Sequence, residues 1–349
     1  MDILWYIILL LPLISHGRAC TKNLDYLDRE TTDAIKGFFI GTVFFRHFAM
    51  YASEGLFWRP IDSWLSQLIV VMFLFYSGYG MMVQYSKRGD SYIRTIPAKR
   101  ILPTLVNFDI AVALFFFLGL LMGRTVSIKK VVLSLVGWES VGNSNWYIFV
   151  IILCYAATFV CFSISFGRHR LAQWGRILLL GLFFLVYVFF VRQMKPSNWH
   201  NTVFAFWGGI TYGLFRNQFE RILDRYWFSC FVLGVAGTFT FPLLLKTGHW
   251  PWAFHNARAL CFALSIVAAT RRFRVKSKHL AWCGRNLFPL YIYQRAPMLL
   301  SKHFFPSAFA GGGDQWWLPC LFVASLFATF GIAWAYPSFR YPWNRMKTT

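Results

Sequence analysis

Residues 35–52 read IKGFFIGTVFFRHFAMYA. Phe, Ile, Val, Ala and Gly suit a bilayer, yet the stretch carries Lys36, Arg46 and His47. An ionisable group in hydrocarbon costs about 3 kcal/mol on insertion scales, so such residues mark pathways or sites. Eleven residues separate Lys36 from His47, about three helical turns and about 16 Å of rise. The two therefore share one face of a helix that spans a membrane.

The rest of the chain agrees with that reading. Of its 349 residues, 57% are hydrophobic, 20% aromatic and only 14% charged. A soluble domain carries about 25% charged residues. The net charge of +22 comes from 35 Lys and Arg against 13 Asp and Glu. These cations lie in short connections between apolar runs, which fits the positive-inside rule rather than nucleic-acid binding. The cysteines sit mostly inside apolar runs with no C-x-x-C pair, which argues against a disulfide framework or a zinc site. No metal site is expected.

Eleven apolar spans are expected, at about 3–15, 34–53, 63–85, 101–122, 146–166, 176–191, 201–215, 226–245, 253–270, 281–300 and 316–336. The first has the length of a signal peptide. Asp2 is its only charge, however, and Arg18 and Lys22 follow it, flanks that suit a retained helix. Odd-numbered connections and the C-terminal tail hold 22 Lys and Arg, even-numbered connections hold 8, and 5 lie within spans. That asymmetry places the first set in the cytoplasm, with the N-terminus outside and the C-terminus inside. The expected fold is an all-α polytopic membrane protein forming one domain over 1–349. Residues 1–33 would be an extra N-terminal helix and cytoplasmic loop before a core at about 34–336.

Orientation assigns a depth to each polar group. At the cytoplasmic mouth lie Lys36 and the loop cations Arg94, Lys99 and Arg100, whose groups suit phosphate. Arg94, Lys99 and Arg100 equally suit a plain positive-inside loop. FLFYSGYG at 73–80 includes Tyr76, Ser77 and Gly78, the last two small enough for close helix packing. Asp109 lies two turns into the fourth span, where it could pair with a mouth cation or line a cavity. In the outer half lie His47, Glu54, Asn145, Trp146, Trp199, Asn201, Arg258, Gln294 and Arg295. Arg46 points about 100° away from His47 and has no assigned role. Two polar levels suit a reaction between a cytoplasmic phosphate-bearing donor and an acceptor reached from outside. A transporter or flippase for a lipid-linked glycan is the alternative, since it too needs buried cations.

Several motifs in order resemble acyltransferase family 3, the integral-membrane O-acyltransferases that modify cell-surface polysaccharides and related glycans. Lys36–His47 resembles its basic-x10-His signature, with Lys36 where arginine is commoner. FYSGYG resembles its aromatic Ser-Gly motif. KRILP at 99–103 resembles its basic helix start, with Pro103 where a second arginine often stands. SNWYI at 144–148, WHNTVFAFWGGITYG at 199–213 and CGRNLFPLYIYQRAPM at 283–298 resemble later helices, with Gln294 in place of the usual His. The resemblance implies ten spans plus the extra one at 3–15, in a bacterial cell membrane. It implies transfer of an acyl group, most often acetyl, from cytoplasmic acyl-CoA to a glycan or lipid-linked oligosaccharide hydroxyl. On that reading His47 is the general base, with an acyl-histidine relay as a second route. Lys36, Arg94, Lys99 and Arg100 hold the CoA phosphates, beside Ser77 and Tyr76. Glu54 or Asp109 orients the imidazole. Asn145, Trp146, Trp199, Asn201, Arg258, Gln294 and Arg295 meet the acceptor.

Overall fold

The computed structural model describes residues 17–53, 66–164, 170–244, 251–310 and 315–340. The expected first span at 3–15 lies outside them, as does Glu54. Over the described residues the chain is an all-α helical membrane protein. Six of the described helices are long and apolar enough to cross a membrane: Gln67–Arg88, Pro97–Leu121, Trp146–Ser163, Ala172–Val191, Pro251–Arg272 and Leu318–Phe339.

The quoted stretch lies in helix α1 (Arg29–Ala49). Asp28 caps it, its carboxylate accepting from the Thr31 N–H at 2.6 Å, and Glu30 sits in the positive first turn. There follow α2 (Val71–Arg88), α3 (Asp90–Arg94), a π-helical turn at Pro97–Ile101, and α4 (Leu102–Leu121). In that turn the Leu102 N–H reaches back to the Pro97 carbonyl, and Pro103, with no N–H of its own, follows directly. Next come α5 (Ile128–Leu135), α6 (Trp146–Ser163), α7 (Arg170–Val191), α8 (Phe204–Leu214), α9 (Arg216–Leu244) and α10 (Pro251–Arg272). The last group is α11 (Lys278–Arg285), α12 (Leu287–Tyr293), α13 (Arg295–Phe304), α14 (Pro306–Ala310) and α15 (Leu318–Phe339).

Glycines decide two of the tightest crossings. A Cβ on Gly37 of α1 would sit 1.9 Å from the Leu280 carbonyl oxygen, and one on Gly284 of α11 would sit 1.8 Å from that of Asp33. Gly78 of α2 and Gly209 of α8 press on each other's helix in the same way, at 2.3 and 2.0 Å from the Phe206 and Phe75 carbonyl oxygens. Gly78 of the FYSGYG stretch thus serves close packing, as expected, whereas a Cβ on Gly80 would meet nothing within 4 Å.

Three expectations need correction. The span expected at 281–300 is broken into α11, α12 and α13. Pro289 and Pro297 lack the N–H groups that would bond the Arg285 and Tyr293 carbonyls, so the helix interrupts near Asn286 and Gln294. The span expected at 201–215 is helical only from Phe204, and its 11 residues rise about 16 Å, too short to cross a bilayer. Residues 216–225, expected as a loop, are the first half of α9, which kinks at Tyr226 (φ −125°, ψ 34°). A short ribbon also departs from the all-α expectation. β1 (Gly17–Ala19) pairs antiparallel with β2 (Phe273–Val275), with Arg18 opposite Arg274.

That ribbon belongs to one end of the bundle. The Cys20 and Asn23 N–H groups donate to the Arg272 and Arg271 carbonyls at 2.9 and 2.8 Å. Asp224 takes Lys22 at 2.7 Å and Arg271 at 2.7 Å. Burial raises the Asp224 pKa, but the hydrogen bonds and charges of Lys22 and Arg271 outweigh it and hold the carboxyl below its ordinary value. Arg176 reaches Tyr85 and Asp90. The connections around 17–28, 85–94, 216–225 and 271–278 therefore gather at the same end or on elements leading to it. At the opposite end Gln67 meets Ser197, Lys195 meets Glu139, and Lys302 meets the Tyr51 carbonyl. The two groups are the odd and even connections whose basic residues differ so strongly in number.

Candidate functional site

His47 stands in the last turn of α1. Its Nδ1 is buried and has no hydrogen-bond partner among the described residues. The Tyr291 ring of α12 lies 6.1 Å from the imidazole, centroid to centroid, and Tyr147 of α6 lies 5.2 Å from Tyr291. The break between α12 and α13 brings Arg295 within electrostatic reach of the imidazole, together with Arg46. Arg46, adjacent in the chain, adds its charge to the surroundings of His47. Arg295 is held in turn by the Tyr51 hydroxyl at 2.9 Å, with its guanidinium 5.5 Å from the Tyr51 ring centroid. Ser144, buried, approaches the Tyr291 hydroxyl from the 139–145 loop. In that loop Gly142 takes φ +122°, a conformation side chains disfavour. Gln294 is wholly buried, its Nε2 donating to the Tyr291 carbonyl at 3.0 Å while its Oε1 has no partner.

The basic mouth is built around α3 and the π-helical turn. Arg94, Lys99 and Arg100 are exposed there. Arg100 reaches the Tyr92 hydroxyl and lies near Tyr155, whose own hydroxyl is hydrogen-bonded with Ser77 of α2. Tyr155 lies eight residues along α6 from Tyr147, about two turns and about 12 Å. Tyrosines 92, 155, 147 and 291 thus mark a polar line from the mouth cations to His47. The buried Tyr76 hydroxyl has no partner among the described residues and lies near Tyr212.

Other sequence-chosen residues have structural duties. Lys36 bonds Asp33 at 2.7 Å. The Asn145 amide donates to the Gly137 and Glu139 carbonyls at 2.9 and 3.0 Å, closing the 139–145 loop. Trp146 packs on Tyr147. Trp199 is buried against Trp138 and Phe149, and its carbonyl accepts from Tyr187 at 2.8 Å. Asp109 pairs with no mouth cation among the described residues; its buried Oδ1 is unpartnered.

Asn201 and Arg258 meet elsewhere, on a second, small cavity of about 20 Å³ that Gln67, Thr202 and His255 also line. Arg258 donates to the Thr238 carbonyl at 2.8 Å, while the Gln67 amide oxygen is buried with no partner among the described residues. The residues expected to meet an acceptor therefore divide between the His47 centre and this cavity. Beside it, burial lowers the pKa of His200; a bond to Asn201 opposes that shift and the Arg192 charge adds to it.

Sequence reading missed Tyr92, Tyr147, Tyr155, Tyr291, Ser144 and Gln67. For Tyr155 and Tyr291 the available signal was a tyrosine well inside an apolar span, away from the interfacial belt where that residue ordinarily sits; the others carried none.

The model of acyltransferase family 3, described as an acyltransferase domain, matches residues 30–336. No curated protein matches the chain, and no solved structure matches it either.

Proposed function

This chain belongs to acyltransferase family 3, and from that membership we propose that it moves an acyl group from cytoplasmic acyl-CoA, acetyl-CoA by family resemblance, to a hydroxyl of a cell-surface or lipid-linked glycan. A membrane acyltransferase of this family needs a base near the reacting carbonyl. The observation that carries the assignment is the buried, unpartnered Nδ1 of His47, facing Tyr291 with two guanidinium groups nearby.

His47 takes the proton of the acceptor hydroxyl as that oxygen attacks the thioester carbonyl. Negative charge then develops on the carbonyl oxygen, where Arg295 and Arg46 stabilise it. The carbon–sulfur bond breaks, and the imidazolium returns the proton to the departing thiolate. The products are an ester and free CoA. Arg94, Lys99 and Arg100 hold the donor's phosphates at the mouth. Asn201, Gln67 and Arg258 meet the more distant part of the glycan.

The basic end of the bundle is placed in the cytoplasm on the Lys and Arg asymmetry. With it go a single domain and a bacterial cell membrane. Incubation of purified protein with acyl-CoA should release free thiol slowly in water, and His47→Ala should abolish that release while Arg100→Ala raises the Michaelis constant. Full acyl-CoA turnover by a well-folded His47→Ala protein would remove the base assignment.

A further inference from the structure

A narrow crevice of about 40 Å³ separates α1, α12 and α15 and opens outward. Its α1 wall includes Ile40, Gly41 and Phe44, so it runs along the interval between Lys36 and His47. Leu326 and Phe330 form its α15 rim. They are half-buried, whereas Val323 and Phe327 on the same helix are exposed. The crevice therefore opens toward the bilayer-facing side of α15.

Its inner end is not apolar. Gln294 lines it with 0% exposure, its Nε2 committed to the Tyr291 carbonyl and its Oε1 unpartnered. An amide acceptor buried in hydrocarbon without a donor is costly. The occupant that satisfies this site is a hydrocarbon chain with an N–H donor close to one end. A phospholipid tail supplies the hydrocarbon alone, since its polar groups stay at headgroup depth. An acyl-pantetheine thioester supplies both, with an alkyl chain on one side of the carbonyl and an amide N–H on the other. Gln294 is the neighbour of Arg295, and Phe44 lies one turn from His47, so the reacting carbonyl would sit where crevice and imidazole meet.

We infer that this crevice holds the donor's acyl chain and that the protein transfers acyl groups longer than acetyl. The inference rests on the acyl-CoA reading above. Bond making and breaking are unchanged by it: the ester C–O bond forms, the thioester C–S bond breaks, and the hydroxyl proton ends on the CoA sulfur.

The test uses the full chain in lipid nanodiscs, with thiol release from acetyl-, butyryl- and hexanoyl-CoA in water as readout. Hexanoyl-CoA should give a kcat/KM at least equal to that of acetyl-CoA. Leu326→Trp and Gly41→Leu, which fill the crevice, should each lower the hexanoyl-to-acetyl ratio about tenfold, as expected when a few methylenes lose their burial. An unchanged ratio in both variants, or wild-type turnover confined to acetyl-CoA, would overturn the inference and leave the acyl-CoA reading standing. Absence of turnover with every thioester would overturn both. An independent readout on the unaltered chain is photolabelling with hexanoyl-CoA bearing a terminal diazirine. Label on 37–44 or 326–330, displaced by hexanoyl-CoA and not by phospholipid, supports the inference. Label displaced equally well by phospholipid sinks it, because the crevice would then be a slot for bilayer lipid.

Discussion

The basic end of the bundle and the interior around His47 treat polar groups in opposite ways. At the basic end, Asp224 joins Lys22 and Arg271, Arg216 joins Glu220 at 2.8 Å, Arg274 joins Asp25 at 3.3 Å, and the Tyr26 hydroxyl reaches Tyr212 and Glu220. These groups satisfy one another and tie the segment before α1 to α9 and α10. Elsewhere among the described residues, the His47 Nδ1, the Gln294 and Gln67 amide oxygens and the Asp109 Oδ1 are buried with no partner. Buried polar atoms are rarely left unpaired, so an orphaned cluster calls for an explanation that a packed network does not. The paired groups hold the fold; on the proposed reading the unpaired ones meet substrate. Loss of a paired group should therefore cost stability, and loss of an orphan should cost activity.

The largest effect is expected at His47. His47→Ala should lower acyl-CoA turnover at least about hundredfold, the lower range for a general base, with the melting temperature in detergent unchanged. A drop in both would move His47 into the structural group and break the contrast.

Asp224→Asn should do the reverse. It leaves the buried Arg271 guanidinium without its carboxylate, at a cost of about 2 kcal/mol after allowance for the partly exposed position of Asp224. Turnover per folded molecule should be unchanged, and thermal unfolding in detergent measures the cost. Acidification offers a parallel test. The Asp224 pKa is lowered on folding, so its contribution is fully present above the ordinary Asp range near about 4 and fades as pH falls through the lowered value. Wild type should therefore lose melting temperature below that range, and Asp224→Asn should lose less.

Arg100→Ala should raise KM for acyl-CoA about tenfold with kcat within about twofold, as removal of one charge-assisted phosphate contact predicts. Steady-state thiol release separates the two constants. The smallest stability change is expected for Gln67→Leu. Removal of the orphaned amide oxygen offsets loss of the exposed hydrogen bond to Ser197, so stability should stay within about 0.5 kcal/mol of wild type while glycan transfer in cells falls. A marked loss of stability there would show that Gln67 has a packing duty, and would sharpen the boundary between the two regions.

Much of the fold was legible because membrane constraints are local. Apolar runs marked the helices that Gln67–Arg88, Trp146–Ser163 and Leu318–Phe339 became. The uneven Lys and Arg counts sorted connections into the two groups that the contacts later joined. Errors fell where local pattern meets proline or a neighbouring chain. The apolar run at 281–300 hid the effect of Pro289 and Pro297, and the charged run at 216–225 read as loop because its Arg216–Glu220 and Tyr26 partners were invisible. Site residues were harder. Asn145 and Trp199 looked like ligands for an acceptor, but backbone carbonyls and aromatic neighbours occupy them. Tyr291 looked like one aromatic among many.

The amino-acid order by itself determined that the chain is a helical membrane protein, that Lys36 and His47 share a helix face about three turns apart, and that basic residues crowd one set of connections. Each of these follows from helical periodicity and from the cost of polar groups in hydrocarbon, both properties of short segments. Tertiary structure alone decided that Arg46, Tyr291 and Arg295 surround the imidazole, that Lys36 bonds Asp33, and that Gln294 keeps an open carbonyl at the end of an apolar crevice. Whether a polar atom is satisfied depends on what other helices bring within hydrogen-bond distance, and that is set by packing between segments far apart in the chain.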